Sequence, residues 1–343
     1  MIDEAFLVRP AGRADIPGIA ALFRLVYRQT SHPCANPDDL AVGFARGEKW
    51  LVCESGGTLT ACTGLVPHPW NATYECGRSV THPAHQQQRL GGLLWRDSIR
   101  WAAELGEHDL LFATPRSAAT CRMCGSASPP LVLFGHEGGA NVANGIREVH
   151  AVGLIRTTRL CRRARPLFGP GTGAFFEERI DRLHFRDVAA SPPPDLLVGP
   201  EGDHCYETPR GAALRYSRTE TSLGWSVLVT SVDCPTDEVD GLFASFLADR
   251  AEVRHMGCYL LWDKLDVMNL LGVLGFQATA YMPGWYLCDG VRHDCLQLSW
   301  LAPGETAVDN GMGEFLRPIR EALFDLARPA APAAVGVISA ATV

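Results

Sequence analysis

No stretch of the 343-residue sequence reaches about 18 uninterrupted apolar residues, which excludes a membrane-spanning helix. An excess of positive charge is also missing. With 31 Lys and Arg against 38 Asp and Glu the formal net charge is −7, so no global field draws nucleic acid or an anionic membrane. A small substrate is the easier partner. The 12 cysteines follow no repeating frame, and the opening "MIDEAFLVRP" lacks the basic start and long apolar run of a secretion signal. Reduced thiols in the cytoplasm are expected. Short tandem repeats are absent too. What is present is ample core-forming material, 47% hydrophobic against 20% charged residues, in a chain long enough to split into two cores.

Along the first half, "AFLVRP" reads as a strand and a helix starts near Ile16, with Asp15 before it and Pro17 in its first turn. "KWLVCES" and "LTACTGLVPHPW" form a hairpin across Gly56 and Gly57, and "ATYECGRSVTHP" adds a strand. A helix to about Leu105, a buried strand "HDLLFAT", a short helix capped by Ser117 and a strand "REVHAVGLIRT" follow. "CRRARPLFGPGTG" and "ASPPPDLLVGPEGD" are rich in breakers and read as a connector around a helix, "FFEERIDRLHF". Beyond His204, strands "ALRYSRT", "GWSVLVTSV" and "GCYLLWD" alternate with helices "TDEVDGLFASFLADRA" and "KLDVMNLLGVL", before "GFQATAYMP" and "HDCLQLSWL" close a sheet. Both halves order strand, helix, strand, helix, strand. The fold class is α/β with a mixed sheet in each of two similar domains.

The junction "VTHPAHQQQRLGGLLW" carries the clearest chemistry. Leu90, Leu94, Trp101 and Leu105 make one apolar helix face, while Arg96, Asp97, Arg100 and Glu104 lie off it. The first amides of that helix have no intrahelical acceptor, and Gly91 and Gly92 let a ligand approach the backbone. Such an end suits a phosphate.

This stretch, Val80 to Leu94, and the order of elements over residues 5–157 resemble the GNAT acyltransferase family. The family's acyl-CoA loop has Gln or Arg, a glycine three positions on, and a glycine or alanine two further. Gln86 and Gly91 match, and Arg89 stands where the first glycine is usual. The resemblance implies acetyl-CoA or another acyl-CoA as co-substrate and no metal. It would be held by Gln86, Gln87, Gln88, Arg89, Leu90, Gly91 and Gly92, with Ser79, Val80 and Thr81 on a bulged strand that lends N–H groups to the thioester. It also implies a general base, for which Glu75 is the first candidate and His82 another, with His85 beside it. The tyrosine that often protonates the CoA sulfur is replaced by Cys121, leaving Cys121, Ser117, water or unaided departure of the thiolate. His136 and Glu137, in "FGHEGG", read as part of a flexible loop over the site. "CRMC" lacks a second ligand pair and "HPAH" a third ligand, so neither reads as a metal site.

"CYLLWDKLDVMNLLGVLGFQATAYMP" resembles the end of a GNAT domain, with Gly275 and Phe276 as the recognisable pair, but no glycine loop precedes it. The expected organisation is a GNAT-like acyl-CoA-binding domain over 1–160, a linker and connecting helix over 161–203, a degenerate GNAT-like domain over 204–326 and a flexible tail over 327–343. The function this implies is transfer of an acyl group, acetyl first, to a small amine such as an amino acid derivative or specialised metabolite. An aminoacyl-tRNA donor and a non-catalytic CoA-binding module are the alternatives. Neither nucleic acid nor membrane is expected as partner, and the protein is expected as a monomer or homodimer.

Overall fold

The computed structural model describes residues 6–27, 32–143, 145–157, 161–165 and 173–327. The expected tail from residue 328 on lies outside them. The first half contains β1 (Leu7–Pro10), α1 (Ile16–Tyr27), α2 (Pro37–Ala45), β2 (Lys49–Ser55), β3 (Thr58–His68), β4 (Thr73–Thr81), α3 (Leu90–Leu105), β5 (Leu110–Ala113), α4 (Ala118–Gly125), β6 (Val132–His136), β7 (Asn141–Ala143), β8 (Ile146–Glu148) and β9 (Ala151–Arg156). After it come β10 (Arg162–Ala164), α5 (Ala174–Asp181), β11 (Arg186–Val188), β12 (Leu197–Val198), β13 (His204–Glu207), β14 (Ala213–Thr221), β15 (Gly224–Asp233), α6 (Val239–Asp249), β16 (Val253–Leu261), α7 (Leu265–Val273), β17 (Gln277–Cys288), β18 (Val291–Leu301) and α8 (Gly313–Ala327).

Local chemistry accounts for many of these boundaries. Gly56 and Gly57 both take positive φ, which is what a two-residue turn between twisted antiparallel strands requires. Ser117 caps α4 by accepting the Thr120 N–H, and Asn36 caps α2 by accepting that of Asp38, with Pro37 as first helical residue. Gly106 ends α3 in the left-handed conformation.

Sixteen strands form one mixed sheet, whose main path runs β1-β2-β3-β4-β5-β9-β6-β17-β18-β16-β15-β14-β13. In the first half β3 and β4 are antiparallel, β4 and β5 parallel, and β9 lies antiparallel between β5 and β6. In the second half β14 and β15 are antiparallel, β15 and β16 parallel, and β18 lies antiparallel between β16 and β17. The two strand patterns are the same. The crossover helices correspond as well, α3 with α6 and α4 with α7.

The halves meet edge to edge where β6 pairs with β17 at Gly135 and Ala280, and a side chain at Gly135 would run into the Ala280 backbone. Below the seam, Phe112, Phe134, Val152 and Leu154 of the first half share one apolar cluster with Phe243, Phe246, Leu260 and Trp285 of the second. Arg292 of β18 is fully buried and crosses the boundary, donating from Nε to Asp109 at 2.9 Å, from Nη1 to the Asn71 carbonyl at 3.0 Å and from Nη2 to the Ala72 carbonyl at 2.8 Å. Removing one partner of such a pair costs about 3–5 kcal/mol.

The segment 161–203 differs from the expected linker. β10 pairs with β11 and meets β18, Arg163 holds buried Asp294 through Nε at 2.7 Å, and α5 places Phe176 and Ile180 in the shared cluster. β12 lies antiparallel to the end of β16, with Leu197 opposite Leu260 and Val198 opposite Tyr259. It fills the space into which β15 and β16 would otherwise part, because the β15–β16 ladder stops at Val229 and Cys258. Gly199 and Gly202 permit this: their side chains would sit 3.0 Å from Thr230 Cα and 2.7 Å from the Tyr216 nitrogen. Prolines and glycines exclude long strands and helices, but not bridges of two or three residues. Helix α8, also not expected, packs Leu316, Ile319 and Leu323 inward despite Pro318 within it.

Candidate functional site

In the first half the corresponding parallel strands do separate. The β4–β5 ladder consists of Thr73–Leu110, Tyr74–Leu111 and Glu75–Phe112, whereas β4 runs on to Thr81. On its other side β4 has a bulge: the register with β3 passes from Gly64–Gly77 to Cys62–Val80, so Arg78 and Ser79 stand against Thr63 alone. Arg78 takes φ +51°, and the Ser79 and Thr63 hydroxyls lie 2.7 Å apart. The resemblance implies a bulge between Arg78 and Thr81, and the irregular residues are Arg78 and Ser79.

The loop from β4 to α3 is pinned at both ends by buried Val80 and Leu90, whose side chains are committed to the core and offer only backbone to a ligand. Between them His82 caps a 3-10 turn by accepting the Ala84 N–H on Nδ1 at 3.1 Å, and Gln86, Gln87, Gln88 and Arg89 are exposed. Gln87 and Arg89 have φ of +70° and +60°. Arg89 thus holds the left-handed conformation that a glycine takes without cost, and the bend of the loop survives its side chain. Leu93 is hydrogen-bonded to the Arg89 carbonyl at 3.1 Å, while the N–H groups of Leu90, Gly91 and Gly92 precede the first possible intrahelical bond. Gly91 and Gly92 also serve packing. Side chains there would come 3.3 Å from Met123 Sδ and 3.8 Å from Met123 Cγ on α4.

Glu75 points to the same sheet face as its partner Phe112 and lies 3.4 Å from His68 Nε2. Nearby, Glu137 is pushed up to about 8, mainly by burial and further by the charge of Glu75, although Asn141 donates to it. His150 has Nδ1 3.6 Å from Glu137 and Nε2 3.2 Å from Glu148, and burial lowers it despite Glu148. Glu148 is engaged by both Arg116 Nε at 2.8 Å and Nη2 at 2.9 Å. His68 and His150 were missed in the sequence, where isolated histidines near strand ends carry no pattern.

The remaining candidates do not converge on Glu75. Cys121 is buried under α8, its Sγ 3.7 Å from Met312 Sδ, and burial raises it to about 11, so it faces an apolar cluster and not the open strands. The Ser117 hydroxyl is occupied as the cap of α4 and lies 3.1 Å from Thr120 Oγ1. His82 is a turn cap. The expected flexible loop at His136 and Glu137 is instead strand-bound: His136 ends β6 and accepts the Gly138 N–H at 3.0 Å, and the Glu137 N–H bonds the His150 carbonyl at 3.0 Å. Among the described residues no group of three His, Cys, Asp or Glu is placed to hold a metal ion, and no helix is long and apolar enough to cross a membrane.

Residues 18–125 match the family model described as acetyltransferase (GNAT) family, which places a GNAT acetyltransferase domain over that stretch. No curated protein matches the chain. Among solved structures, yncA from Salmonella typhimurium, with its cofactor acetyl-CoA, is 23% identical, covers 45% of this chain and 95% of its own, and has a TM-score of 0.39. A spermidine N-acetyltransferase chimera from Vibrio cholerae and hSSAT is 17% identical over 44% of this chain and 95% of its own, at a TM-score of 0.37. Ribosomal-protein-alanine N-acetyltransferase from Brucella melitensis is 18% identical over 44% and 99%, at 0.38.

Proposed function

We propose that the GNAT domain at residues 18–125 makes this protein an acyl-CoA-dependent N-acyltransferase, with acetyl-CoA as donor and a small amine as acceptor. The observation that carries the reading is the parting of β4 from β5 after Glu75, beside the exposed loop that opens α3. The amides of Leu90, Gly91 and Gly92, with those of the turn from Gln86 to Arg89, would take the diphosphate, and Arg89 adds a positive charge. The bulged end of β4, from Ser79 to Thr81, would face the thioester carbonyl. Glu75 serves as base, with His68 beside it. One proton of the acceptor's ammonium passes to Glu75, and the amine nitrogen attacks the thioester carbonyl carbon. As the C–N bond forms and the C–S bond breaks, the second proton goes to the departing thiolate, whose acid has a pKa of about 8.5 and leaves without a dedicated donor.

The second unit, in this reading, is a GNAT-like domain that has lost its coenzyme site. Its cleft is occupied by β12, and the opening of α6 carries Asp237, Glu238 and Asp240. Thermal-shift titration with acetyl-CoA, followed by thiol release across an amine panel, tests the proposal. A shift with turnover supports it; a shift without turnover of any amine leaves a binding module in its place; no shift removes the donor site.

A further inference from the structure

Away from the parted strands, the loop after β6 lies flat on the second unit. Gly138 and Gly139 take φ of +72° and +87°, and side chains there would come 2.0 Å from Ser299 Oγ of β18 and 3.0 Å from Ala307 Cβ. Two cationic or cation-forming residues are sealed against this loop. Arg147 of β8 comes from the first unit and His255 of β16 from the second, and only 1% and 2% of their surfaces are exposed. His255 stands opposite Leu301 at the end of β18, and the chain that follows carries Glu305 and Ala307 to Arg147 and Gly139. Arg147 donates from Nη1 to the Gly139 carbonyl at 2.8 Å and has Nε 3.5 Å from Glu305 Oε2, but its Nη2 is buried with no partner among the described residues. His255 has Nδ1 2.9 Å from Ser226 Oγ, and its Nε2 is buried and equally unpartnered.

Buried polar atoms are normally paired, and a guanidinium keeps its charge wherever it is placed. The charge of Arg147 is poorly answered. Glu305 is partly exposed and stands beyond the length of a charge-assisted hydrogen bond, while Glu148, the next residue in sequence, is committed to Arg116 and His150. Burial, and then the charge of Arg147, lower His255 to about 3, so its ring is neutral at pH 7 and adds a donor without a second charge. With the Ser226 hydroxyl donating to Nδ1, the proton of the neutral ring sits on Nε2. We propose that Arg147 Nη2 and His255 Nε2 together bind one halide ion where the two units meet. A water at this place would leave the guanidinium charge unanswered, and a phosphate or carboxylate would bring more acceptor oxygens than these donors satisfy. A spherical monovalent ion takes them in any direction. The bound ion joins β8 of the first unit to β16 of the second.

The test uses the full-length protein in potassium gluconate, with bromide replacing gluconate at fixed ionic strength. Bromide should raise the melting temperature by about 2–4 °C and then saturate. Arg147→Met and His255→Leu should each abolish that rise. A crystal soaked in bromide should show an anomalous peak within about 3.5 Å of both Nη2 and Nε2. Should Arg147→Met fail to fold, His255→Leu and the anomalous map of the parent decide. The proposal is overturned by a parent that shows no saturable rise, by an equal rise in folded His255→Leu, or by a map with water alone between the two nitrogens. A bromide peak there without a rise in melting temperature marks an adventitious ion only and overturns it as well. None of these readings depends on acyl transfer, so the site and the activity stand or fall separately.

Discussion

The chain makes one structural move twice and puts it to different use. At the ends of β4 and of β15 a strand leaves its parallel neighbour and a crossover helix begins. After β4 no further strand pairs into the gap among the described residues, and the helix opens on three glutamines, an arginine and two glycines. After β15 the gap is occupied by β12, and the helix start is lined by Asp237, Glu238 and Asp240. Those carboxylates already answer the positive end of α6 and would repel a diphosphate. On the acyl-transfer reading, strand order would supply a place for a ligand, and loop composition would decide whether one can enter.

The largest effect expected from breaking this contrast is chemical. Glu75→Gln should lower kcat about 100-fold, read by thiol release, while the thermal shift with acetyl-CoA stays that of the parent. Next comes the loop. Giving the first opening the character of the second, with Gln88→Glu and Arg89→Asp together, should weaken acetyl-CoA about tenfold in a calorimetric titration, and less at high salt. In the second unit, Gly199→Val forces a side chain against the Thr230 backbone and should cost about 1–3 kcal/mol in urea unfolding without altering acetyl-CoA affinity.

A pH series sharpens the picture at the seam. Glu137 titrates near 8 in the fold against an ordinary 4.5, so the folded state binds the extra proton between those values and stability falls as pH rises through that window. Glu137→Gln should flatten this slope and raise the melting temperature relative to the parent most above pH 8. The smallest effect is expected from Arg89→Gly, where about 1 kcal/mol of left-handed strain is relieved and a similar entropy of the unfolded glycine is added. Urea midpoints should stay close to the parent, while acetyl-CoA should weaken about twofold to threefold with the lost charge.

The loop at Gln86–Gly92 was legible in the sequence because its chemistry is contiguous: spacing, small residues and a helix start lie side by side. Glu75 was legible as a lone carboxylate on the central strand. The partners that give it a setting were not, since His68 comes from β3, and Glu137 and His150 from the ends of β6 and β9. The recurring element order also appeared in the sequence. β12 did not, as a strand of two residues has no periodicity and exists only through its register with β16. Helix α2 was not expected although Asn36 and Pro37 carry a helix-start signal, and neither was α8, where Leu316, Ile319 and Leu323 have helical spacing but Pro318 reads locally as a stop. The Cys121 thiol is covered by Met312, which stands just before α8 and 191 residues away in sequence, a contact that no local pattern announces.

The contact between Gly135 and Ala280 has a bearing on the protein's fate in a cell. Each unit's outermost strand is dressed by the other's, so a protease nick or early stop that parted them would bare two raw β-edges, each a template for indiscriminate stacking. Inheritance of both halves as one polypeptide keeps them in equal numbers and within reach of each other from synthesis onward.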